Sequence, residues 1–175
     1  MAMENTQQQV DDATYRRILN FLYDEAELFD QHAYGRWLER VTPDIRYRMP
    51  GRGFHEGQAP ETQFVNGYYD DDYTTLAVRI DLWSRPSSTT AENPQTITRH
   101  FVTNIRAYDG AQPGTFRVTS HVLVFRVRPT QKQPYFFSGR REDQLREVDG
   151  ELRLAARDIL MDEVVLMSPN LSFLV

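Results

Sequence analysis

Cysteine is absent from the 175 residues. That excludes disulfides, thiolate zinc sites, a cysteine nucleophile and any iron–sulfur cluster held by this chain alone. Lysine is nearly absent as well: Lys132 is the only one, and the other 19 of the 20 basic residues are arginines. Arginine pairs bidentately with carboxylates, so ion-paired arginine is expected rather than a solvated basic fringe. Positive charge is not in excess, with 25 acids giving a formal net charge of −5. Non-specific nucleic-acid binding is therefore disfavoured. Long apolar runs are missing, and nothing approaches the ~20 residues of a membrane span. Met1 to Val10 is polar and Gln-rich, with no basic stretch leading into an apolar one. No secretion signal is visible, and a soluble, cytoplasmic protein is expected.

The short motifs of nucleotide and acyl chemistry are absent too. There is no Gly-x-Ser-x-Gly, no P-loop and no Gly-x-Gly-x-x-Gly; Gly51-Arg52-Gly53 is a lone Gly-x-Gly. Asn170-Leu171-Ser172 matches the glycosylation triplet, a coincidence in a chain with no visible secretion signal. The four histidines, His32, His55, His100 and His121, include no i, i+4 pair of the zinc type. No metal site is expected on this chain.

What is present reads as α+β. Residues 1–11 are a mobile tail by composition, and 12–175 a single domain. Asp11 and Asp12 stand where an N-cap belongs, ahead of an apolar stripe of Tyr15, Ile18, Leu19, Leu22, Tyr23, Ala26 and Phe29. A shorter helix carries Tyr34, Trp37, Leu38 and Val41, with Pro43 as its stop. Ile45, Tyr47 and Met49 alternate with Arg46 and Arg48 as a half-buried strand does. Residues 51–67 read as a long loop, and Pro86 to Pro94 as a second. Asp70 to Trp83 fits both periods: Leu76, Val78, Ile80 and Leu82 alternate, while Tyr73, Leu76, Ile80 and Trp83 trace a helical face. From Thr96 onward β-patterning dominates, and Asp149-Gly150 is a strong two-residue hairpin signal. Helices first and an antiparallel meander afterwards argue one curved sheet with helices on one face.

A two-residue loop at Asp149-Gly150 sets an in-register hairpin in which Leu145 faces Leu154. It then pairs Arg141 with Asp158, and Glu142 with Arg157 on the other face. Arg146 opposite Arg153 is the one like-charge contact. If the sheet and helices enclose an apolar cone, Asp30, His32, Tyr47 and His100 are the candidates for acid–base chemistry on a small ligand. Large aromatics on a helical stripe would instead fill that cone as core.

Several ordered segments carry a family resemblance. They are Gly139-Arg140-Arg141-Glu142-Asp143-Gln144-Leu145-Arg146, then Leu154-Ala155-Ala156-Arg157-Asp158-Ile159 with Asp162, and Asn170-Leu171-Ser172-Phe173. Glu25-Ala26-Glu27-Leu28-Phe29-Asp30, Asp44-Ile45-Arg46-Tyr47-Arg48-Met49-Pro50 and Arg99-His100 with Asn104 support them. Across nearly its whole length the chain resembles the small (β) subunit of bacterial Rieske-type aromatic-ring-hydroxylating dioxygenases. The resemblance implies a cone-like curved antiparallel sheet of the nuclear-transport-factor-2 type, with the N-terminal helices on its concave face, and a helix over Asp70 to Trp83. It implies a structural subunit with no catalytic, cofactor or metal residue of its own. The Rieske [2Fe–2S] cluster and the mononuclear non-heme Fe(II) would lie on a large α subunit, in an α3β3 hexamer fed by NADH through a reductase and ferredoxin. The chemistry implied is cis-dihydroxylation of an aromatic ring by O2. A stand-alone dehydratase or isomerase on the same fold, and a non-catalytic binding module, are the alternatives.

Overall fold

A computed structural model describes residues 8–53, 61–62, 67–85, 94–130, 132–163, 168 and 170–175. The element order is α1 (Asp12–Asp30), α2 (Tyr34–Leu38), β1 (Val41–Met49), β2 (Arg52–Gly53), β3 (Glu61–Thr62), β4 (Tyr69–Asp71), α3 (Tyr73–Ser84), β5 (Ile97–Asp109), β6 (Thr115–Val127), β7 (Tyr135–Val148) and β8 (Glu151–Met161). Six strands form one sheet in the order β4-β1-β8-β7-β6-β5. The expected antiparallel sheet is in fact mixed, because β1 runs parallel to β8 while every other neighbour in that sheet is antiparallel. A helix–strand segment at the front of the chain reaches the last strand only by crossing over, which local patterning does not reveal.

Asp11 caps α1 by accepting from the Thr14 N–H at 2.8 Å. The face α1 buries is rotated from the expected stripe. Ile18, Phe21, Leu22, Glu25, Leu28 and Phe29 point inward, whereas Tyr23 is exposed. Pro43 does not stop α2, which ends at Leu38; it lies within β1, exposed, in the stretch where the register with β8 shifts. Proline is tolerated at such irregularities because no ladder hydrogen bond is lost. Tyr69–Asp71 is strand and Tyr73–Ser84 is helix, as the resemblance implied for the latter. Asp72 is the N-cap, accepting from the Thr75 N–H, and Asp71 holds Arg79 bidentately at 2.8 and 3.0 Å. In the segment expected as a long loop, β2 pairs with β3. Residues 54–60, which include His55, residues 63–66, the second loop at 86–93 and residues 1–7 lie outside the described residues. Gln8 to Val10, expected in the mobile tail, instead lie along the end of β5, through a Gln9–Tyr108 bridge and an Asp109 N–H to Gln8 carbonyl bond.

The β7–β8 hairpin turns at Asp149 and Gly150, both at positive φ (53° and 81°), as a two-residue turn of this hand requires. Leu145 faces Leu154 as expected, but the register slips between Gln144 and Leu145. Ala155 is the extra residue of a β-bulge, so Leu154 and Ala155 are both buried in succession. Beyond it Arg141 faces Ile159, Glu142 faces Asp158 and Asp143 faces Arg157. The expected Arg141–Asp158 and Glu142–Arg157 pairs are therefore replaced. Farther along, Gly139 is a close-approach position, where a Cβ would come within 2.8 Å of the Leu160 carbonyl oxygen.

No helix among the described residues is long and apolar enough to cross a membrane.

Candidate functional site

The sheet's inner face and the helices converge on a cluster of charge. α1 supplies Glu25, β7 supplies Arg141 and Asp143, and β8 supplies Arg157; all four are at most 1 % exposed. Arg157 binds Asp143 through Nε and Nη2, both at 2.8 Å, and reaches Glu25 with Nη2 at 2.7 Å. Arg141 touches the same Glu25 oxygen at 3.3 Å and donates from Nε to the Ser120 hydroxyl. Trp37 in α2 donates its indole N–H to the other Glu25 oxygen at 2.7 Å. Two carboxylates and two guanidinium groups leave the cluster neutral, the condition for burying ions at all.

The two arginines differ in how well they are held. Burial lowers the Arg141 pKa and the neighbouring Arg157 charge lowers it further, against one long contact to Glu25. Among the described residues Arg141 Nη2 has no hydrogen-bond partner. Burial works against Arg157 too, but the Asp143 and Glu25 carboxylates reverse it and hold Arg157 well above the ordinary range.

The space over this cluster is taken by the chain itself. Tyr47 donates its hydroxyl to the Val175 carbonyl at 2.7 Å and accepts from the Val175 N–H at 2.9 Å. Arg157 Nη1 donates to the same carbonyl. The Tyr69 hydroxyl reaches the Leu171 and Phe173 carbonyls, and Arg126 binds the Asn170 carbonyl, Asn170 Oδ1 and the Ser172 hydroxyl. Phe173 packs on Phe137 with ring centroids 4.9 Å apart. Phe173, Leu174 and Val175 are all buried. Burial pushes the Tyr47 hydroxyl up to about 12, and raises Tyr69 as well. A hydroxyl shifted that way is neither an acid nor a base near neutrality.

The four candidate cavity residues have structural partners. His100 Nδ1 lies 2.7 Å from Asp30 Oδ1, and Nε2 lies 2.9 Å from the Leu174 carbonyl oxygen. Asp30 also accepts the His100 backbone N–H. His32, at positive φ just past α1, bonds the Thr96 carbonyl through Nε2 and accepts the Tyr34 hydroxyl. On β5, a long edge strand, the His100 N–H is taken by Asp30 and the Ile105 carbonyl by the Tyr15 hydroxyl, while His32 bonds Thr96 just before the strand. Asp30 and His100 are brought together, His32 stands at the start of the same edge, and Tyr47 is apart, under Val175.

The four ion-pair candidates are all paired, but with other partners. Asp158 takes Arg48 through two bonds of 2.6 Å; Glu142 takes Arg117 and Arg140; Arg141 and Arg157 share Glu25. The Arg146–Arg153 contact is relieved within the chain. Arg146 binds Asp44 at 3.1 Å, which holds the Asp44 carboxyl below its ordinary value, and Arg153 donates to the Glu39 carbonyl. Glu25, the hub of the cluster, was not foreseen. Its signal is its position, three residues after Leu22 and seven after Ile18 on the buried stripe.

Clefts lie outside this interior. One, of about 700 Å³, opens beside the β5–β6 turn and is lined by Asp109, Arg117, Glu142, Gln144, Arg146 and Asp158. Among the described residues no three His, Asp or Glu side chains are placed to hold a metal ion. The Rieske cluster implied by the resemblance needs two thiolates, and a chain with no cysteine does not fit it.

Comparison with known proteins bears on these features directly. Residues 24–168 match the family model described as the ring hydroxylating beta subunit. The chain is 32% identical to the biphenyl 2,3-dioxygenase subunit beta of Rhodococcus jostii (strain RHA1), over 94% of this chain and 90% of that one. A structure of naphthalene 1,2-dioxygenase with indole bound in the active site superposes with a TM-score of 0.84 at 25% identity, covering 95% of this chain and 88% of that one. The beta subunit of a benzoate 1,2-dioxygenase from Burkholderia mallei superposes at 0.65 with 20% identity, covering 89% and 93%. The buried Glu25, Arg141 and Arg157, and the long hairpin that presents two of them, all fall within the matched span. The fold is of the nuclear-transport-factor-2 type, and the chain belongs to the family of aromatic-ring-hydroxylating dioxygenase beta subunits.

Proposed function

We propose that this chain is a non-catalytic, cytoplasmic β subunit that supports the large subunit of a terminal oxygenase. The observation that carries this reading is the docking of residues 170–175 over the charged cluster, with Tyr47 bonded twice to Val175 where a substrate would otherwise sit. The large subunit would hold the Rieske cluster and the non-heme iron, and these groups would supply the reductive activation of O2 for cis-dihydroxylation of an aromatic ring. What this chain contributes is a rigid single domain over 12–175 and surfaces for an α3β3 assembly. The Asp30–His100 pair is the observation favouring the dehydratase or isomerase alternative. Both ring nitrogens of His100 are already engaged, however, by Asp30 and the Leu174 carbonyl.

The test is metal analysis and substrate depletion on the chain alone and on the chain co-expressed with its large subunit. The expected result is no iron and no turnover alone, and a Rieske spectrum with ring-dihydroxylating activity in the complex. Stoichiometric iron or steady turnover on the isolated chain overturns it.

A further inference from the structure

Residues 170–175 lie in no helix or strand, yet side chains of the fold meet their backbone almost group by group. Arg126 donates to the Asn170 carbonyl, and the Tyr69 hydroxyl meets those of Leu171 and Phe173. His100 Nε2 lies 2.9 Å from the Leu174 carbonyl oxygen, while Tyr47 and Arg157 Nη1 both donate to Val175. The Val175 N–H is taken by the Tyr47 hydroxyl. In a helix or sheet such groups are paired with other backbone. Here they are paired with side chains on β1, β4, β5, β6 and β8.

Those side chains are also held by contacts that do not involve the segment. Arg157 is fixed through Nε and Nη2 by Asp143 and Glu25. Asp30 stands behind His100 and accepts its backbone N–H. The Tyr69 ring lies under the Arg79 guanidinium, 4.5 Å from centroid to carbon, and edge-on to Tyr47. Tyr47 in turn meets Trp37 edge-on, and Arg126 reaches Thr96 Oγ1 at 3.5 Å. The Phe173 ring has its own seat, 4.9 Å from the Phe137 ring and 5.2 Å from the Arg126 guanidinium.

We propose that the interior of the cone is a peptide-binding site, complete without its occupant, which residues 170–175 fill in cis. Side chains fixed beforehand lose little freedom when a ligand docks, so its contacts count toward binding. The ligand class is an extended apolar peptide, with carbonyls at the donor positions, an aromatic ring at the Phe173 position and an aliphatic side chain at the Val175 position. A purely hydrocarbon occupant is disfavoured, because it would leave the Tyr47 and Tyr69 hydroxyls buried and unpaired. The inference goes beyond the subunit reading and rests only on the docking of the segment.

The test begins from the full-length chain. A protease site is inserted between Pro169 and Asn170, and the folded chain is cut and freed of the short peptide in urea below its unfolding midpoint. Circular dichroism is expected to show the sheet retained. A fluorescein-labelled peptide with the sequence of residues 170–175 is then expected to bind one per chain, saturably, and to be displaced by the unlabelled peptide. The same peptide with Phe173→Ala should bind about a hundredfold more weakly, as loss of a buried aromatic ring implies. A cut chain carrying Tyr47→Phe should bind the native peptide about tenfold more weakly, since two hydrogen bonds are lost. Loss of the sheet signal as the peptide leaves, or a peptide released only by global unfolding, would make the segment ordinary core and overturn the proposal. An emptied, folded chain that ignores the labelled peptide, or binds it equally well with Phe173→Ala, overturns it too. Either failure leaves the subunit reading standing, because iron content and turnover are measured separately on the uncut chain.

Discussion

Glu25 and Arg157, 132 residues apart in the chain, meet at 2.7 Å in the middle of the fold with no more than 1 % of either side chain exposed. The contact ties the first helix to the last strand, and through Asp143 and Arg141 to β7. Its energetic meaning is asymmetric. A buried neutral cluster gives modest net stability, but taking away one member leaves an uncompensated charge in the interior.

Glu25→Ala should therefore destabilise the chain by roughly 3–5 kcal/mol, since two guanidinium groups lose their shared carboxylate. Trp37→Phe should cost less, about 1.5–3 kcal/mol, because it removes one hydrogen bond to a charged group and leaves the charges paired. Urea unfolding of both variants checks the order. Equal effects would mean that Glu25 acts only as an acceptor for Trp37.

The bulge at Ala155 makes a second prediction. Arg141 and Asp158 point to opposite faces of the sheet, so a double-mutant cycle between them should give a coupling within a few tenths of a kcal/mol of zero. The Arg48–Asp158 cycle should give about 0.5–1 kcal/mol, since that pair is bidentate but partly exposed. Deleting Ala155 should be tolerated, because it removes only the unpaired residue and leaves Leu145–Leu154 and Asp143–Arg157 with the same partners and the same faces. Soluble protein with a lowered melting temperature is the expected outcome, whereas loss of soluble protein would mean that the local kink itself is needed for packing.

How far the fold was legible follows from the range of each determining contact. The α1 cap and the Asp149-Gly150 turn are local, and the sequence patterns that mark them hold in the structure. The rotation of α1 was not legible, because Tyr23 and Phe21 are equally apolar by type and only the packing partner decides which is buried. Glu25 escaped because a carboxylate on an apolar stripe reads as an interruption until the arginines opposite are known. The bulge escaped for a related reason: Leu154 and Ala155 are both apolar, so neither identifies itself as the extra residue. α3 stayed ambiguous between two periods because its exposed side is apolar as well.

Alkaline stability should be limited by the buried tyrosines. Tyr47 has an ordinary pKa of 10.0 and is raised to about 12 in the folded chain, mainly by burial. Its contribution is thus complete below pH 10.0 and is lost as the pH climbs toward about 12. Two units correspond to about 3 kcal/mol as an order of magnitude. A fall in the unfolding free energy over that window, shallower in Tyr47→Phe, is the expected result of urea titrations at successive pH. An unchanged slope in the variant would mean that Tyr47 ionises freely in the fold.

The last prediction separates structural from catalytic histidine. His100 joins Asp30 at the end of α1 to the Leu174 carbonyl, so His100→Ala should loosen residues 170–175. Faster hydrogen exchange in that segment and a lower melting temperature are expected. His121 accepts from the exposed Asn104 amide, and His121→Ala should leave the segment unchanged. Neither substitution should alter the iron content per folded large subunit, or the pH profile of the complex, because neither ring reaches a reacting atom in the proposed assembly. If His100→Ala abolishes turnover in a complex whose iron content and melting temperature are normal, the Asp30–His100 pair is doing chemistry and the non-catalytic reading fails.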